Sequence, residues 1–446
     1  MNFLSRERTI APAGFNRWLV PPAAIAVHMC IGQVYGFSVF NKPLMAELGV
    51  PVSKIQWAYS IALVMLGLSA GFFGKWVERS GPRKTIVAAC ACFCGGLLLA
   101  SLGVQIKSLA LVLFGYGFVG GIGLGLGYIA PVSTLVKWFP DRPGMATGLA
   151  IMGFGGGALI GSPLGQELMK AYQNSTNTGA SQALATMSGI YVFFMLFGAI
   201  MVRVPRADWK PENYVPSLAS NRMITTASVA VDTAWKTPQF WMLWIVLCMN
   251  VSAGIGILGR AADMFQDMFL GVPGNEDQKL ANAAIGAGFA GLLSLSNLGG
   301  RFLWSSISDR TGRKLVYCLY FILGTGLYAL LPWAQQTQNK ILFVCLAAGI
   351  ISMYGGGFAT IPAYLKDLFG TYQVGAIHGR LITAWSVAAV IGPALINGLY
   401  NSRVDAGVPK AEAYNGTFFV MCGLLMIGLV ANLLVRPVDS KYHFNS

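Results

Sequence analysis

The chain has 446 residues, of which 55% are hydrophobic and only 11% are charged. A soluble protein carries about 25% charged residues, so this composition excludes an ordinary soluble domain and indicates a protein embedded in a membrane. The net charge of +14 would suggest a nucleic-acid partner in a soluble protein. Here the basic residues lie between apolar segments, so no nucleic-acid partner is expected.

Twelve apolar segments follow one another along the chain, and each has about the 20 residues that a membrane-crossing helix needs. They predict an all-α membrane protein of twelve transmembrane helices, with an N-terminal six-helix bundle (1–202), a linker (203–238) and a C-terminal six-helix bundle (239–446). The predicted spans are 18–41, 55–74, 85–106, 109–136, 144–166, 184–202, 239–259, 282–305, 315–339, 341–365, 381–402 and 413–435.

The distribution of basic residues predicts the orientation. If the N-terminus is inside, the segments on that side hold 21 Lys and Arg, and the segments on the opposite side hold nine. Cytoplasmic loops carry an excess of these residues. We therefore expect a multi-pass protein of the cell inner membrane, surrounded by the lipid bilayer, with both termini and the linker in the cytoplasm.

The two halves of the chain repeat each other. The turn Glu78 to Lys84 after span 2 matches the turn Asp309 to Lys314 after span 8, at an offset of 231 residues. Two parallel six-helix repeats, related by a pseudo-two-fold axis, can rock about a midplane site and so alternate access to it. The same offset relates Pro131 to Pro362, Gly148 to Gly379 and Gly161 to Gly392.

The two repeated turns are candidates for a gate. Glu78 and Asp309 can accept charge-assisted hydrogen bonds from arginines or from helix N-termini. Such contacts would hold the cytoplasmic side closed and break when it opens. The alternative is that these charges only set the topology. The predicted gating residues also include the arginines of both turns, Arg79, Arg83, Arg310 and Arg313.

A single arginine, Arg301, lies inside predicted span 8, eight residues before Asp309. At about 1.5 Å per residue it is roughly 12 Å deeper, near the middle of a hydrocarbon core about 30 Å thick. A charge there costs roughly 2.5–3.5 kcal/mol on insertion scales, and none of the 17 acidic residues lies deep in a predicted span. Because a guanidinium pairs bidentately with a carboxylate, we expect Arg301 to bind an anionic ligand. The alternative is an arginine that snorkels to the headgroups.

Three stretches carry a family resemblance. Residues 74–84 (GKWVERSGPRK) resemble the loop signature of the major facilitator superfamily, with Glu78 in place of the usual aspartate. Residues 137–163 resemble the span 4–5 signature of the oxalate/formate antiporter family and the related monocarboxylate transporters, and residues 32–40 are similar to their first helix. The resemblance implies the major facilitator fold and a carrier of small carboxylates, with a substrate-pairing arginine that only Arg301 matches.

Two positions depart from the patterns of these families. Asn297 stands at the position that, in the animal monocarboxylate transporters it resembles, is an aspartate linked to proton coupling, so this departure argues against that version of coupling. Trp385 aligns with a lysine of the oxalate-exchanging relatives. The second departure argues against a dicarboxylate that needs two cationic partners.

Further candidates surround Arg301. Asn297 stands one turn before it on the same helix face and is expected to hydrogen-bond the substrate. His28 is the one histidine inside a predicted span and titrates near neutral pH, so it either couples protons or only packs. Gln33, Tyr35, Tyr128, Tyr354, Phe358 and Trp385 are the remaining candidate substrate-binding residues, with ordinary helix packing as the alternative.

The predicted function is secondary active transport of small monocarboxylates such as formate, lactate or pyruvate, by a monomer whose partner is a small organic anion. Three alternatives remain: an oxalate-type dicarboxylate exchanger, a non-transporting nutrient receptor and a multidrug exporter. Cys90, Cys92 and Cys94 scatter around a helix with no histidine or carboxylate nearby, so no metal site is predicted. No cofactor and no enzyme activity are expected.

Overall fold

The computed structural model describes residues 3–206, 209–211, 223–225, 227–271 and 274–444. The predicted linker, 203–238, therefore lies partly outside the described residues. The all-α prediction is confirmed, because twelve long helices run through the described chain. They are α1 (Arg17–Leu48), α2 (Val52–Ser80), α3 (Pro82–Gln105), α4 (Leu109–Trp138), α5 (Pro143–Tyr172), α6 (Ala180–Met201), α7 (Pro238–Phe269), α8 (Glu276–Thr311), α9 (Arg313–Gln336), α10 (Lys340–Phe369), α11 (Val374–Asp405) and α12 (Lys410–Leu434).

Eleven of these helices are long and apolar enough, within the described residues, to cross a membrane. The remaining helix, α8, is 36 residues long. Its length exceeds what a crossing needs, and it carries Arg301 of the predicted site.

Two glycines with positive φ end α2 and α8. Gly81 has a φ of 82° and Gly312 a φ of 89°, a region that glycine enters without the steric cost other residues meet. They stand 231 residues apart, which is the offset of the predicted repeat. The repeat therefore extends to the backbone geometry of the two turns.

One predicted boundary is wrong in a way that matters for the site. Span 11 was predicted to begin at residue 381, whereas α11 begins at Val374. The charged Arg380 ends the apolar run in the sequence, but its guanidinium reaches Asp232 in the linker at 2.8 Å. The neighbouring His378 is 1% exposed. The first turns of α11 are consequently buried between the halves.

Close backbone contacts join the two halves along two helix pairs, α2 with α11 and α5 with α8. A Cβ built on Gly74 of α2 would lie 2.9 Å from the Cα of Ala376, and one built on Gly148 of α5 would lie 2.1 Å from Ser305 Oγ. Because only hydrogen fits at such positions, the glycines allow the helices to approach this closely.

These contacts lie at one end of the bundle, here named the linker side, which is formed by the turns at Glu78 and Asp309 and by residues 223–225, 227–238 and 435–444. Asp232 of the linker accepts hydrogen bonds from Arg380 of α11 and from Lys75 of α2. A backbone hydrogen bond of 2.7 Å from Phe444 to the linker brings the C-terminal residues to the same end. The structure is therefore closed on the linker side.

Candidate functional site

Arg301 lies between the halves and is fully buried, with 0% of its surface exposed. Its Nε donates to Asn297 Oδ1 at 3.0 Å, and its Nη1 donates to the backbone oxygen of Ile151 on α5 at 3.2 Å. Nη2 has no hydrogen-bond partner. Among the described residues no carboxylate forms an ion pair with Arg301.

Arg301 differs from the other buried cations of the described chain. Arg313 and Lys366 both pair with Asp367, and Arg83 donates to three backbone oxygens at the linker side. Of these four buried cations, only Arg301 keeps a buried nitrogen without a partner. A buried donor left unsatisfied costs about 1–3 kcal/mol, and more when it is charged. The site is thus incomplete without an acceptor.

Aromatic rings enclose the guanidinium. Its Cζ lies 5.3 Å from the ring centre of Phe358 and 5.8 Å from that of Phe154. Trp385 packs against Phe358 at 4.5 Å between ring centres. On the α1 side the hydroxyls of Tyr35 and Tyr354 lie 3.3 Å apart. The rings come from helices of both halves, so the enclosure depends on how the halves meet.

Two more polar groups of this enclosure lack partners. The hydroxyl of Tyr128 and Nε1 of Trp385 are buried and make no hydrogen bond, although the two rings lie 5.7 Å apart. Both are donors. Together with Nη2 of Arg301, they form a set of hydrogen-bond donors without partners around one aromatic enclosure. An anion binds to such donors.

Gln33 lies elsewhere. Its Oε1 accepts a hydrogen bond from the hydroxyl of Tyr116 at 3.3 Å, and both residues belong to the N-terminal half. The structure therefore brings Asn297, Tyr35, Tyr128, Tyr354, Phe358 and Trp385 to Arg301 or its enclosing rings, whereas Gln33 packs against α4.

His28 is fully buried and stacks on Tyr128, with 5.3 Å between the ring centres. Its Nε2 lies 3.1 Å from the backbone oxygen of Tyr128. A carbonyl oxygen can only accept, so Nε2 carries the proton of the neutral ring. His28 thus lies behind Tyr128, and its one donor is already used.

The structure adds two residues that the sequence reasoning missed. Phe154 lies 5.2–5.5 Å from the rings of Tyr35, Tyr128 and Trp385, and its only signal is its place in the run Gly-Phe-Gly-Gly-Gly. His378 lies 5.8 Å from Tyr128 and is buried. The expectation that His28 is the one deep histidine is therefore wrong.

The two acidic residues of the repeated turns reach across the halves. Asp309 accepts hydrogen bonds from the backbone N–H groups of Gly144 and Met145 at 2.8 Å each, in the first turn of α5. Glu78 accepts from the backbone N–H of Gly375 at 3.0 Å, in the first turn of α11. Each acid caps the positive end of a helix in the other half. The linker side is therefore closed by two reciprocal caps.

The four arginines of the turns differ from one another. Arg313 donates to Asp309 at 2.5 Å and so orients that cap from within its own half. Arg83 binds carbonyl oxygens within the N-terminal half. Arg79 and Arg310 are exposed and make no ion pair with the described residues. The structure thus does not bring Arg79 and Arg310 into contact between the halves.

Twelve membrane-length helices, two repeated halves and a buried polar site between them are the architecture of a multi-pass membrane transporter. The sequence profile of the Major Facilitator Superfamily matches residues 23–393. The chain belongs to the Major Facilitator Superfamily.

Similar proteins agree with this assignment. The oxalate:formate antiporter of Oxalobacter formigenes is 24% identical, over 85% of this chain and 84% of that protein. Monocarboxylate transporter 2 of Meriones unguiculatus is 26% identical, over 97% of this chain and 88% of that protein. The solved structure of the proton:xylose symporter XylE superimposes with a TM-score of 0.68 at 13% identity, over 94% of this chain and 96% of that one. This last likeness concerns the fold alone.

Proposed function

We propose that this protein is a secondary active transporter of small monocarboxylates, such as formate, lactate or pyruvate, and that Arg301 binds the substrate carboxylate. One observation carries the proposal: Arg301 is fully buried between the halves, has no carboxylate partner among the described residues and keeps Nη2 without an acceptor. A carboxylate at this position supplies the missing acceptor and the missing charge.

The surrounding residues have separate roles in this proposal. Asn297 accepts from Nε of Arg301 and so orients the guanidinium, which leaves Nη2 for the substrate. Tyr128 and Trp385 offer further donors to the second carboxylate oxygen. Phe358 and the Tyr35–Tyr354 contact exclude water, which strengthens the ion pair because the local dielectric is low.

Of the four buried cations among the described residues, only Arg301 keeps a nitrogen without a partner, which favours a monocarboxylate. The second carboxylate of oxalate would also need a partner, and the other buried cations of the described chain are already satisfied. Trp385 offers one neutral N–H where the oxalate-exchanging relatives are expected to have a lysine. The Oxalobacter relative is an oxalate:formate antiporter. Exchange of oxalate for formate is therefore the second candidate function.

The proposed cycle is alternating access. Substrate enters from the side opposite the linker side while the caps at Glu78 and Asp309 hold the linker side closed. Rocking of the halves then breaks both caps and opens the linker side. From the excess of basic residues, we assign the linker side to the cytoplasm. We place the protein in the inner membrane and treat it as a monomer. The two halves that rock against each other are the predicted bundles 1–202 and 239–446.

His28 is the candidate proton carrier of this cycle. It is fully buried and stacks on Tyr128, so a proton on its ring would lie beside the proposed anion site. Histidine titrates closest to neutral pH. If His28 carries the proton, His28→Gln will transport substrate without dependence on a pH gradient. If it only packs, the dependence will survive.

The test is uptake of labelled formate, lactate, pyruvate and oxalate into proteoliposomes, with and without a pH gradient. We expect saturable uptake of one or more monocarboxylates and weak competition by oxalate. Strong oxalate binding would refute the argument from a single cation. Absence of uptake or exchange for every one of the four, with a folded protein, would favour the receptor.

A further inference from the structure

We propose that His378 is a second binding station for the transported carboxylate, on the route from Arg301 to the linker side. The inference rests on the proposed function but concerns a different residue and a different step. Arg301 would hold the substrate in the state described here, and His378 would receive it when the linker side opens.

The first observation is an unsatisfied buried imidazole. His378 is 1% exposed, and neither Nδ1 nor Nε2 makes a hydrogen bond. A neutral imidazole always carries one N–H donor, and leaving such a buried group unpaired is costly. His28 differs because its donor binds a backbone oxygen. Packing alone therefore explains His28 better than it explains His378.

The second observation is the position of His378 between the halves. It belongs to the face of α11 that packs against the N-terminal half: a Cβ on Gly379 would lie 2.2 Å from the backbone oxygen of Ala70, and one on Gly375 would lie 2.5 Å from Glu78 Oε1. His378 lies three residues after Gly375, whose backbone N–H Glu78 caps. Opening the linker side breaks these contacts and uncovers the imidazole.

The third observation is continuity with the central site. The ring of His378 lies 5.8 Å from that of Tyr128, and Tyr128 lies 5.7 Å from Trp385. Tyr128 also has a buried hydroxyl without a partner. Free polar groups thus extend from Arg301 through Trp385 and Tyr128 to His378. An anion leaving Arg301 toward the linker side meets N–H and O–H donors in succession.

The experiment measures transport separately from each face of sided proteoliposomes. His378→Phe keeps an aromatic ring and removes the donor, and His378→Gln keeps a donor. The probe is whichever of labelled formate, lactate or pyruvate the unsubstituted protein takes up. We expect His378→Phe to raise KM for that probe, added at the linker side, by about tenfold or more, as for a lost hydrogen bond to a charged group. KM from the opposite side should stay within about twofold, and His378→Gln should restore most of the linker-side KM.

Tyr328→Phe is the matched control. It removes a buried hydroxyl that donates to Ala253 inside the C-terminal half at 2.6 Å, away from the proposed route. At each face its KM should stay the same as that of the unsubstituted protein. If His378→Phe changes KM equally from both faces, or from neither face, His378 is not a binding station. If that variant fails to fold, His378→Met replaces it under the same criteria. Failure of the proposed function looks different, because Arg301→Gln would then leave binding intact from both faces.

Discussion

Replacing Gly379 with alanine is expected to push the two halves apart on the linker side. The added Cβ would lie 2.2 Å from the backbone oxygen of Ala70 and 2.9 Å from its carbonyl carbon. A close carbon–oxygen contact is about 3.3–3.6 Å, so α2 and α11 must separate by about 1 Å. Overpacking of this kind costs about 1–3 kcal/mol. The population of the conformation that is open on the linker side should rise about 5- to 150-fold.

The assay is a distance measurement between spin labels on Arg79 and Arg310. Both side chains are exposed on the linker side, one in each half, so labels there disturb no ion pair. The labels are introduced as cysteines in a chain without its eight native cysteines. We expect the distance distribution of Gly379→Ala to shift toward longer values than that of the unsubstituted chain.

Gly398→Ala is the control on the same helix, because a Cβ at Gly398 meets no atom within 4 Å. It should leave the label distances unchanged and stabilise the helix by roughly 0.5–1 kcal/mol. If Gly379→Ala also leaves the distances unchanged, the contact between α2 and α11 does not hold the linker side closed. The reasoning from close backbone packing would then be refuted.

Three further predictions use the same logic. Asp309→Asn weakens the charged cap on α5. Because hydrogen bonds to charged groups contribute about 1.5–3 kcal/mol, the fraction of molecules that are open on the linker side should rise about tenfold or more. The distances between the spin labels measure this fraction. Hydrogen bonds from Lys75 and Arg380 lower the pKa of Asp232. The carboxylate therefore ties the linker to α2 at neutral pH, and the tie is lost only as pH falls through that lowered pKa. Because Asp232 is largely exposed, Asp232→Asn should cost less than about 1 kcal/mol, and the substitution should not change how the label distances depend on pH between about pH 6 and pH 8. Tyr128→Phe removes one free donor and should weaken substrate binding about tenfold, as measured by fluorescence titration of the tryptophans.

Arg301 could be singled out from the sequence because charge is scarce in this chain. One arginine in a long apolar run, with no acidic residue deep in any predicted span, is visible without a structure. Its asymmetry is also visible, because the repeat offset places Ala70 opposite it. Among the described residues, none of the ion pairs involves Arg301.

Phe154 could not be singled out in the same way. The chain has 26 phenylalanines, and only the packing of α1, α4, α5 and α11 makes this one the centre of the enclosure. His378 was missed for a different reason. Arg380, two residues after His378, interrupts the charge-free run and placed the predicted start of span 11 after both residues. In the structure the long side chain of Arg380 carries the charge out to Asp232, while the helix turn around it stays buried.

The partners of the gate were also hidden from the sequence. Glu78 and Asp309 were visible as repeated acidic residues, but what they bind is backbone N–H of the first turns of α11 and α5. Gly375 is 297 residues from Glu78, and a backbone donor has no side chain that could signal it. Such contacts are determined by how the two halves dock.

Whether Arg301 binds the substrate carboxylate is tested most directly by the substrate affinity of purified Arg301→Gln. Glutamine keeps a polar amide but removes the charge. Removing one partner of a buried charged pair costs about 2–5 kcal/mol, so we expect affinity to fall by about 30-fold to several thousandfold. Thermal unfolding controls for folding. A folded Arg301→Gln protein with unchanged affinity for the transported monocarboxylate would contradict the account.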